Sequence, residues 1–303
     1  MQMFWQAFPL VYPAYRRLQS LISYLVSYLL GGGSRLPLAA LLAVLSGQPV
    51  AAQHTDTLRV GDRRLQTARL KPGTRQYLVY FQSPAKPKML SFWLWRREVQ
   101  VARHQDTPVF RIAQHWYGAD SSSYREVTSL VRATDFAPLY HAETINGQLK
   151  AYTWNATGIA GADTVAGNQV KAFQQVFQQP AFNWNLDIET FELLPLAAGK
   201  RFVIPFYDAG SKLPTYVLYT VTGTEVLTVP GGKSVACWKL VTEGLTPAKA
   251  PFKQTFWISQ RGHEFLKEED QYPGGLSRYK IKTSTVPEAF PQRVASPAKL
   301  QAR

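Results

Sequence analysis

The chain is poor in cysteine and histidine. Cys237 is the only cysteine among 303 residues, so no intramolecular disulfide and no thiolate-based zinc site can be built. The five histidines show no spacing typical of metal ligands. The sequence therefore predicts no metal and no cofactor. Cys237 is interpreted as a small buried hydrophobe, and the fold has to be stabilised by its apolar core.

Complete catalytic motifs are also missing. The stretch "GGKS" at residues 231–234 lacks the earlier Gly of a phosphate-binding loop, because Leu227 occupies that position, and a hairpin turn explains it better. In "HEFLK", residues 263–267, Lys267 stands where a zinc-protease helix needs its second His. We predict that the protein is not an enzyme. A hydrolase whose Ser, His and Asp come from distant segments is the alternative left open.

One acidic run is a candidate for chemistry. Glu264, Glu268, Glu269 and Asp270 precede the turn residues Pro-Gly-Gly, and such a run can contain a carboxyl group whose pKa is raised. Acids that lead into a Pro-Gly-Gly turn are more often solvated. We therefore interpret this run as a solvated turn.

Acidic residues are outnumbered by basic ones. The chain has 34 Lys and Arg against 20 Asp and Glu, a formal net charge of +14. The first 52 residues contain three Arg and no acid, so the remainder carries 31 basic and 20 acidic residues and a net charge of +11. This surplus favours contact with anionic surfaces such as phospholipid headgroups or acidic glycans.

The N-terminal region has the order of a secretory signal. Arg35 is followed by an apolar run at residues 36–45, and Val50 and Ala52 occupy the −3 and −1 positions of a cleavage site. A segment ending at Ala52 is longer than the usual signal of about 15 to 30 residues. Either translation starts downstream of Met1, or the apolar residues hold the chain in the membrane.

Export followed by cleavage is the interpretation we adopt. The break "GGGSR" divides the apolar region, so it offers no continuous span of about 20 residues, and no stable membrane span is expected after cleavage. We expect an export segment at residues 1–52, one β-rich domain at 53–284 and a disordered tail at 285–303. The protein is then periplasmic or in the outer envelope, where nucleic acid is not an expected partner; a retained N-terminal anchor is the alternative.

Strands with one apolar face dominate the rest of the chain. Alternation predicts the inward-facing sets Tyr77, Val79 and Phe81; Phe110, Ile112 and Trp116; and Tyr279 and Ile281, the last with Lys280 facing out. Two other strands are apolar on both faces. "LSFWLW" sets Phe92 and Leu94 against Trp93 and Trp95, and "YVLYTV" sets Tyr216 and Leu218 against Val217 and Tyr219. A sheet with such strands needs cover on both sides.

Turn and helix signals complete the fold prediction. Asn146-Gly147 predicts a two-residue hairpin, because both residues accept positive φ. "NWNLDIETFELLPL" predicts one short helix, capped by Asn183 or Asn185 and stopped by Pro195, with Ile188, Phe191 and Leu194 packing on the sheet. The fold class is all-β and mainly antiparallel: a curved meander or half-barrel with one short helix.

The C-terminal segment resembles part of an exported bacterial family of unknown function. The resemblance is carried by residues 203–244, with "PGGKSVACWKL", and by residues 255–281, with "TFWIS" and "HEFLK". It is clear over residues 186–282 and rests on strand pattern alone over 59–179. The family is similar to half-barrel proteins that carry or sort lipoproteins. The resemblance implies a curved sheet with a helix on its concave side.

No catalytic residue comes with this resemblance. Trp257, Ser259, Phe265 and Lys267 match the pattern of the family and are interpreted as fold-specifying positions. The leading functional hypothesis is a non-enzymatic envelope protein that binds a lipid, a lipoprotein or another apolar ligand on a concave, aromatic-rich face. The candidate ligand-binding residues are Trp93, Trp95, Tyr216, Leu218, Trp238 and Trp257.

Two alternatives accompany this hypothesis. The concave face can be filled by the side chains of the protein itself, which leaves no room for a ligand. The protein can instead be a structural or adaptor protein that binds anionic envelope glycans or partner proteins through a basic face.

Overall fold

The structure is a computed structural model that describes residues 55–87, 91–246 and 248–284. The predictions for residues 1–52 and 285–303 lie outside the described residues. Strands make up most of the described chain, and one α-helix, α1, spans Asp187–Leu193. Short 3₁₀ helices occur at Thr67–Arg69, Ser121–Ser123, Trp184–Leu186 and Pro273–Gly275.

Sixteen strands are present in the described residues. They are β1 (Thr55–Thr57), β2 (Gly73–Gln82), β3 (Ser91–His104), β4 (Thr107–Tyr117), β5 (Arg125–Arg132), β6 (Pro138–Ile145), β7 (Gln148–Asn155), β8 (Gly158–Gly161), β9 (Gln174–Val176), β10 (Phe182–Asn183), β11 (Arg201–Tyr207), β12 (Thr215–Thr228), β13 (Ser234–Leu245), β14 (Pro251–Ser259), β15 (Phe265–Gln271) and β16 (Ser277–Lys282).

All sixteen strands belong to one sheet. Its order is β1-β11-β12-β13-β14-β15-β16-β2-β3-β4-β5-β6-β7-β8-β9, with β10 added beside β11. Neighbours are antiparallel except for the parallel pairs β1–β11 and β10–β11. Two meanders, β2 to β9 and β11 to β16, are therefore joined where β16 pairs with β2. The sheet is not closed by hydrogen bonds, since β1 and β9 stand at its two ends.

The sheet curves around α1. Phe191 of this helix packs against Phe206 of β11, Tyr219 of β12 and Phe256 of β14, with ring centroids 6.3, 4.8 and 4.8 Å away. On the other side, Glu189 pairs with Arg97 of β3. Distant strands can reach one short helix only if the sheet is bent. We call the face against α1 the inner face and the opposite one the outer face.

Side-chain packing brings the two ends of the sheet together. Tyr207 at the end of β11 packs against Trp154 of β7, with ring centroids 6.4 Å apart, and against Phe177, which follows β9, at 4.7 Å. Together with Tyr152, Ile159 and Ala181 these residues form a second apolar cluster beside the main core. Side chains thus fill the gap between the two ends of the bent sheet, which has a barrel-like shape.

Most local predictions are confirmed. Asn146 and Gly147 have φ of 52° and 74° and connect β6 to β7. The predicted cap Asn183 accepts a hydrogen bond from the backbone of Asn185 and so caps the 3₁₀ turn before α1, whereas α1 itself begins after Leu186 without a side-chain cap. Ile188, Phe191 and Leu194 belong to the main core, as do the predicted inward residues of β2 and β4.

The prediction for β16 is wrong. Lys280 faces inward and is buried, whereas Tyr279 and Ile281 lie on the outer face and are partly exposed. The physical reason lies on the neighbouring strand, where Glu268 of β15 is buried beside Lys280, with 2.6 Å between its carboxylate oxygen and Nζ. Burial of a Lys is tolerated when an acid pairs with it.

The solvated-turn interpretation of the acidic run is wrong for two of its members. Glu268 and Asp270 are 1% and 0% exposed and lie on the inner face of β15. They are held by Arg278 of β16, whose guanidinium donates to Asp270 Oδ2 over 2.6 Å and to Glu268 Oε1 over 2.7 Å. These acids are therefore part of the interior.

Candidate functional site

The six predicted ligand-binding residues lie on two different faces. Trp93, Trp95 and Trp238 contribute to the main core on the inner face. Tyr216 and Leu218 lie on the outer face of β12 and are 52% and 38% exposed. Trp257 packs in a small separate cluster with Cys237 and Leu266. The structure therefore does not bring these six side chains together on one surface.

The inner tryptophans are committed to packing. Trp95 is buried and stacks on Trp116 with 4.6 Å between ring centroids. Its indole N–H donates to Gln114 Oε1 over 3.2 Å. Trp93 packs edge-on against Phe81 at 5.7 Å. These rings face the core that surrounds α1 rather than an open surface.

Charged groups of α1 are buried together with this core. Glu189 is 1% exposed and accepts from Arg97 Nε over 3.0 Å, and Arg97 also donates to the hydroxyl of Tyr77 over 3.4 Å. The Arg97 guanidinium lies over the ring of Trp95 at 5.1 Å. Glu192 accepts from the backbone N–H of Phe265 over 2.9 Å. The helix is thus held in place by polar contacts as well as by packing.

Burial shifts the titration of several of these carboxyl groups. Desolvation raises the pKa of Asp187, and it also raises the pKa of Glu192. For Asp270, desolvation and then the nearby charge of Glu268 raise the pKa. Perturbed carboxyl groups can mark an active site. Here Glu192 and Asp270 are buried and bound by groups of the same chain, and the contact of Glu192 with Phe265 holds α1 on β15.

A serine and a histidine also meet in the interior. Ser129 Oγ lies 3.0 Å from His141 Nδ1, and the amide nitrogen of Asn183 lies 3.2 Å from the same ring nitrogen. Ser129 and His141 are both 0% exposed. Burial lowers the pKa of His141 to about 3, so the ring is neutral near pH 7. Through Asn183, these contacts tie β10 to β5 and β6.

The outer face carries an apolar surface that the structure leaves open. We call it the outer apolar surface, and it consists of Leu78, Tyr80, Phe92, Leu94, Tyr117, Tyr279 and Ile281. Pairing of β16, β2, β3 and β4 sets these side chains in two adjacent rows. One row is Ile281, Leu78, Leu94 and Tyr117, and the other is Tyr279, Tyr80 and Phe92.

Exposure distinguishes this surface from the core. Leu78, Phe92 and Tyr117 are 37%, 46% and 43% exposed, and the other four are partly exposed. The rings of Tyr80 and Tyr279 stack with centroids 4.8 Å apart. Single exposed apolar residues are ordinary on protein surfaces, whereas a contiguous group is a candidate interaction site.

Polar groups border the outer apolar surface. Arg96 and His115 occupy the next cross-strand row. On the β15 side, Lys267 is the cross-strand neighbour of Ile281, and its Nζ lies 3.2 Å from a carboxylate oxygen of Glu269. Lys86 is exposed in the β2–β3 connection. An apolar centre with such a rim is typical of a contact surface.

Sequence reasoning missed this surface because it placed Tyr279 and Ile281 in the core. The available signal was the pair of strands with two apolar faces. It correctly indicated that β3 carries Phe92 and Leu94 on the face opposite Trp93 and Trp95. The missing element was the register of β16, which adds its own apolar side chains to the same face.

Family comparison agrees with the C-terminal resemblance. The model of the family described as "Protein of unknown function (DUF3108)" matches residues 76–282. The chain belongs to this family. The predicted membership in a family of unknown function is confirmed, and the match extends across β2 to β9, where the sequence showed only a strand pattern. No curated protein shows a significant match to this chain.

Solved structures with a similar chain path share little sequence with this protein. One is a beta-barrel-like protein of domain of unknown function DUF1849 from Brucella abortus, with 11% identity, a TM-score of 0.46 and coverage of 71% of this chain and 97% of that one. Another is the hypothetical lipoprotein YmcC from Escherichia coli, with 12% identity, a TM-score of 0.31 and coverage of 84% and 100%.

Among the described residues, no helix has the length and apolar character needed to span a membrane.

Proposed function

We propose that this protein is a non-enzymatic, exported protein of the bacterial cell envelope that holds lipid against its outer apolar surface. The observation that carries the proposal is the set of seven adjacent apolar side chains on β16, β2, β3 and β4, of which Leu78, Phe92 and Tyr117 stay 37%, 46% and 43% exposed. Contact with the acyl chains or the interfacial region of lipid removes this area from water.

The inner face is the weaker candidate for a ligand. A strand that is apolar on both sides needs two covers, and α1 with its buried side chains supplies the inner one. On the outer side of these strands, Phe92 of β3 and Tyr216 of β12 stay 46% and 52% exposed. The physical reason for expecting an apolar ligand thus applies to the outer face.

Composition favours lipid over another apolar partner. Three of the seven side chains are Tyr, whose rings combine an apolar body with a polar tip and suit the boundary between headgroups and acyl chains. The connection at residues 83–90 contains Lys86 and Lys88 and no acid. The chain after residue 52 has a net charge of +11. Basic residues beside an aromatic surface attract anionic headgroups.

Vesicle co-sedimentation with phosphatidylglycerol and with phosphatidylcholine tests the proposal. The variant Leu78→Thr/Phe92→Thr keeps strand propensity and removes two exposed apolar groups. If each group contributes about 1 kcal/mol, binding to phosphatidylglycerol vesicles weakens at least tenfold. Binding should also persist in part at high salt, because only the headgroup contribution is screened.

A matched control is available on another part of the outer face. The variant Tyr216→Thr/Leu218→Thr removes two exposed apolar side chains from β12, far from the outer apolar surface in strand order. We expect it to bind vesicles like the unchanged protein. Equal loss in both variants, loss in the control alone, or no vesicle binding by the unchanged protein would each refute the proposal.

A further inference from the structure

An open cleft of about 790 Å³ lies where the ends of β13 and β16 meet two turns. One turn connects β12 to β13 and carries Lys233, and the other connects β14 to β15 and carries Arg261. Lys282 at the end of β16 lines the same cleft. We call this site the basic cleft.

The charge of the basic cleft is positive. Glu264 is the acid in its lining, and its Oε1 is already bound by Lys282 Nζ over 2.6 Å and by Arg75 Nε over 3.2 Å. Within the described parts of the chain, Lys233 and Arg261 form no ion pair. Lys233 and Arg261 are therefore two exposed cations that face the cleft. The carboxylate of Glu264 is neutralised by Lys282 and Arg75.

The two turns also bring the hydroxyl-bearing side chains of Ser234 and Ser259 to the lining. Gly231 and Gly232 have φ of 90° and 76°, which only glycine adopts easily, and they shape the "GGKS" turn that places Lys233 and Ser234 in the lining. Gly262 follows Arg261 in the opposite turn, where an added Cβ would lie 3.3 Å from Ser259 Oγ. Each turn thus places a glycine directly beside a cationic residue of the cleft.

We propose that the basic cleft binds a phosphate group, carried either by free phosphate or by a phospholipid headgroup. A phosphate offers several oxygens to cations on different elements, and contacts from Lys and Arg to it are charge-assisted hydrogen bonds. The "GGKS" turn then acts in phosphate binding without the strand-to-helix geometry of a phosphate-binding loop. This inference does not rest on lipid binding at the outer apolar surface, because the two sites share no residue.

The first experiment follows backbone amide signals in the ¹⁵N-labelled protein. Inorganic phosphate, monomeric short-chain phosphatidylglycerol and short-chain diacylglycerol are titrated separately at constant ionic strength. We expect saturable shifts at Gly231, Gly232 and Gly262 with the first ligand, the second or both, and none there with diacylglycerol. The phosphate ligand that saturates identifies the source of the group. Absence of saturable shifts with both phosphate ligands, or shifts confined to other regions, would overturn the inference.

The second experiment removes the two unpaired cations. Lys233→Gln/Arg261→Gln should weaken binding of the phosphate ligand about tenfold, because two charge-assisted contacts are lost. The matched control Lys171→Gln/Lys212→Gln removes the same charge from exposed turns elsewhere and should change binding less than about twofold, since distant exposed charges are screened. Equal weakening in both variants would show a general charge effect and contradict a site.

Discussion

The buried pair Arg97–Glu189 gives a sharp test of how α1 is held. Their side chains are 0% and 1% exposed, and the pair links β3 to the helix across the inner face. Arg97→Met leaves the Glu189 carboxylate buried without its cation, and Glu189→Leu leaves the guanidinium without its anion. Removal of one partner of a buried ion pair costs about 3–5 kcal/mol. Each single variant should therefore lose a large part of a typical stability of about 5–15 kcal/mol.

The double variant Arg97→Met/Glu189→Leu should behave differently. Two apolar side chains of similar length can pack in the same space, and such replacements of a buried pair are often close to neutral. We expect the double variant to be more stable than either single one. The coupling free energy, obtained from the four free energies of unfolding, should amount to several kcal/mol.

Urea unfolding followed by far-UV circular dichroism and tryptophan fluorescence measures these values. The slope of the free energy of unfolding against urea concentration should be the same in all four proteins, so that differences in the midpoint report differences in stability alone. The idea that this pair holds α1 would be refuted if the two substitutions had additive effects. It would also be refuted if the free energy of unfolding of each single variant lay within about 1 kcal/mol of that of the unchanged protein.

Three further predictions concern the interior. Phe191→Ala should cost about 3–5 kcal/mol in urea unfolding, because a fully buried ring with three aromatic neighbours is lost, and Phe191→Leu should cost clearly less; equal costs would argue against close packing. Burial raises the pKa of Asp187, so the folded state binds more protons than the unfolded one between about pH 4 and that raised pKa. As pH rises through this window, the free energy of unfolding should therefore fall relative to that of Asp187→Asn. Parallel pH profiles of the two proteins would contradict this prediction. Burial raises the pKa of Cys237 to about 11, so Ellman's reagent should react far more slowly with the folded protein than in urea; equal rates would show an accessible thiol.

Local pattern was enough to predict much of this fold. Period-two alternation identified the inward faces of β2 and β4, and positive φ at Asn146-Gly147 fixed the hairpin between β6 and β7. The helix was predicted from a cap, an apolar period and Pro195. These features depend on residues close together in sequence, where backbone preference and side-chain spacing decide the structure.

The orientation of β16 could not be read in the same way. Its sequence alternates Tyr279, Lys280 and Ile281, and burial of the apolar pair is the natural expectation. The outcome depends on Glu268 and Arg278, which meet in an ion network only after β15 and β16 have paired. Compensation of charge across strands is set by tertiary structure, so the buried acids and the outer apolar surface both escaped prediction.

The assignment of ligand residues had a related limit. Trp93 and Phe92 are adjacent in sequence and point to opposite faces, and the sequence cannot say which face receives α1. Within residues 92–95, each face of β3 carries two apolar residues, so their number does not decide the question. Only the packing of Phe191 and its helix decides that the tryptophan side is the inner one.

Photo-crosslinking tests the central claim most directly: that the uncovered apolar face is the outer one. Vesicles that contain diazirine-labelled phosphatidylglycerol are irradiated with the protein, and the modified residues are located by fragmentation mass spectrometry. Labels at Tyr80, Phe92 or Tyr279 are the predicted result. Labels at Trp93, Phe81 or Phe191 would show that lipid enters the inner face and would contradict the account.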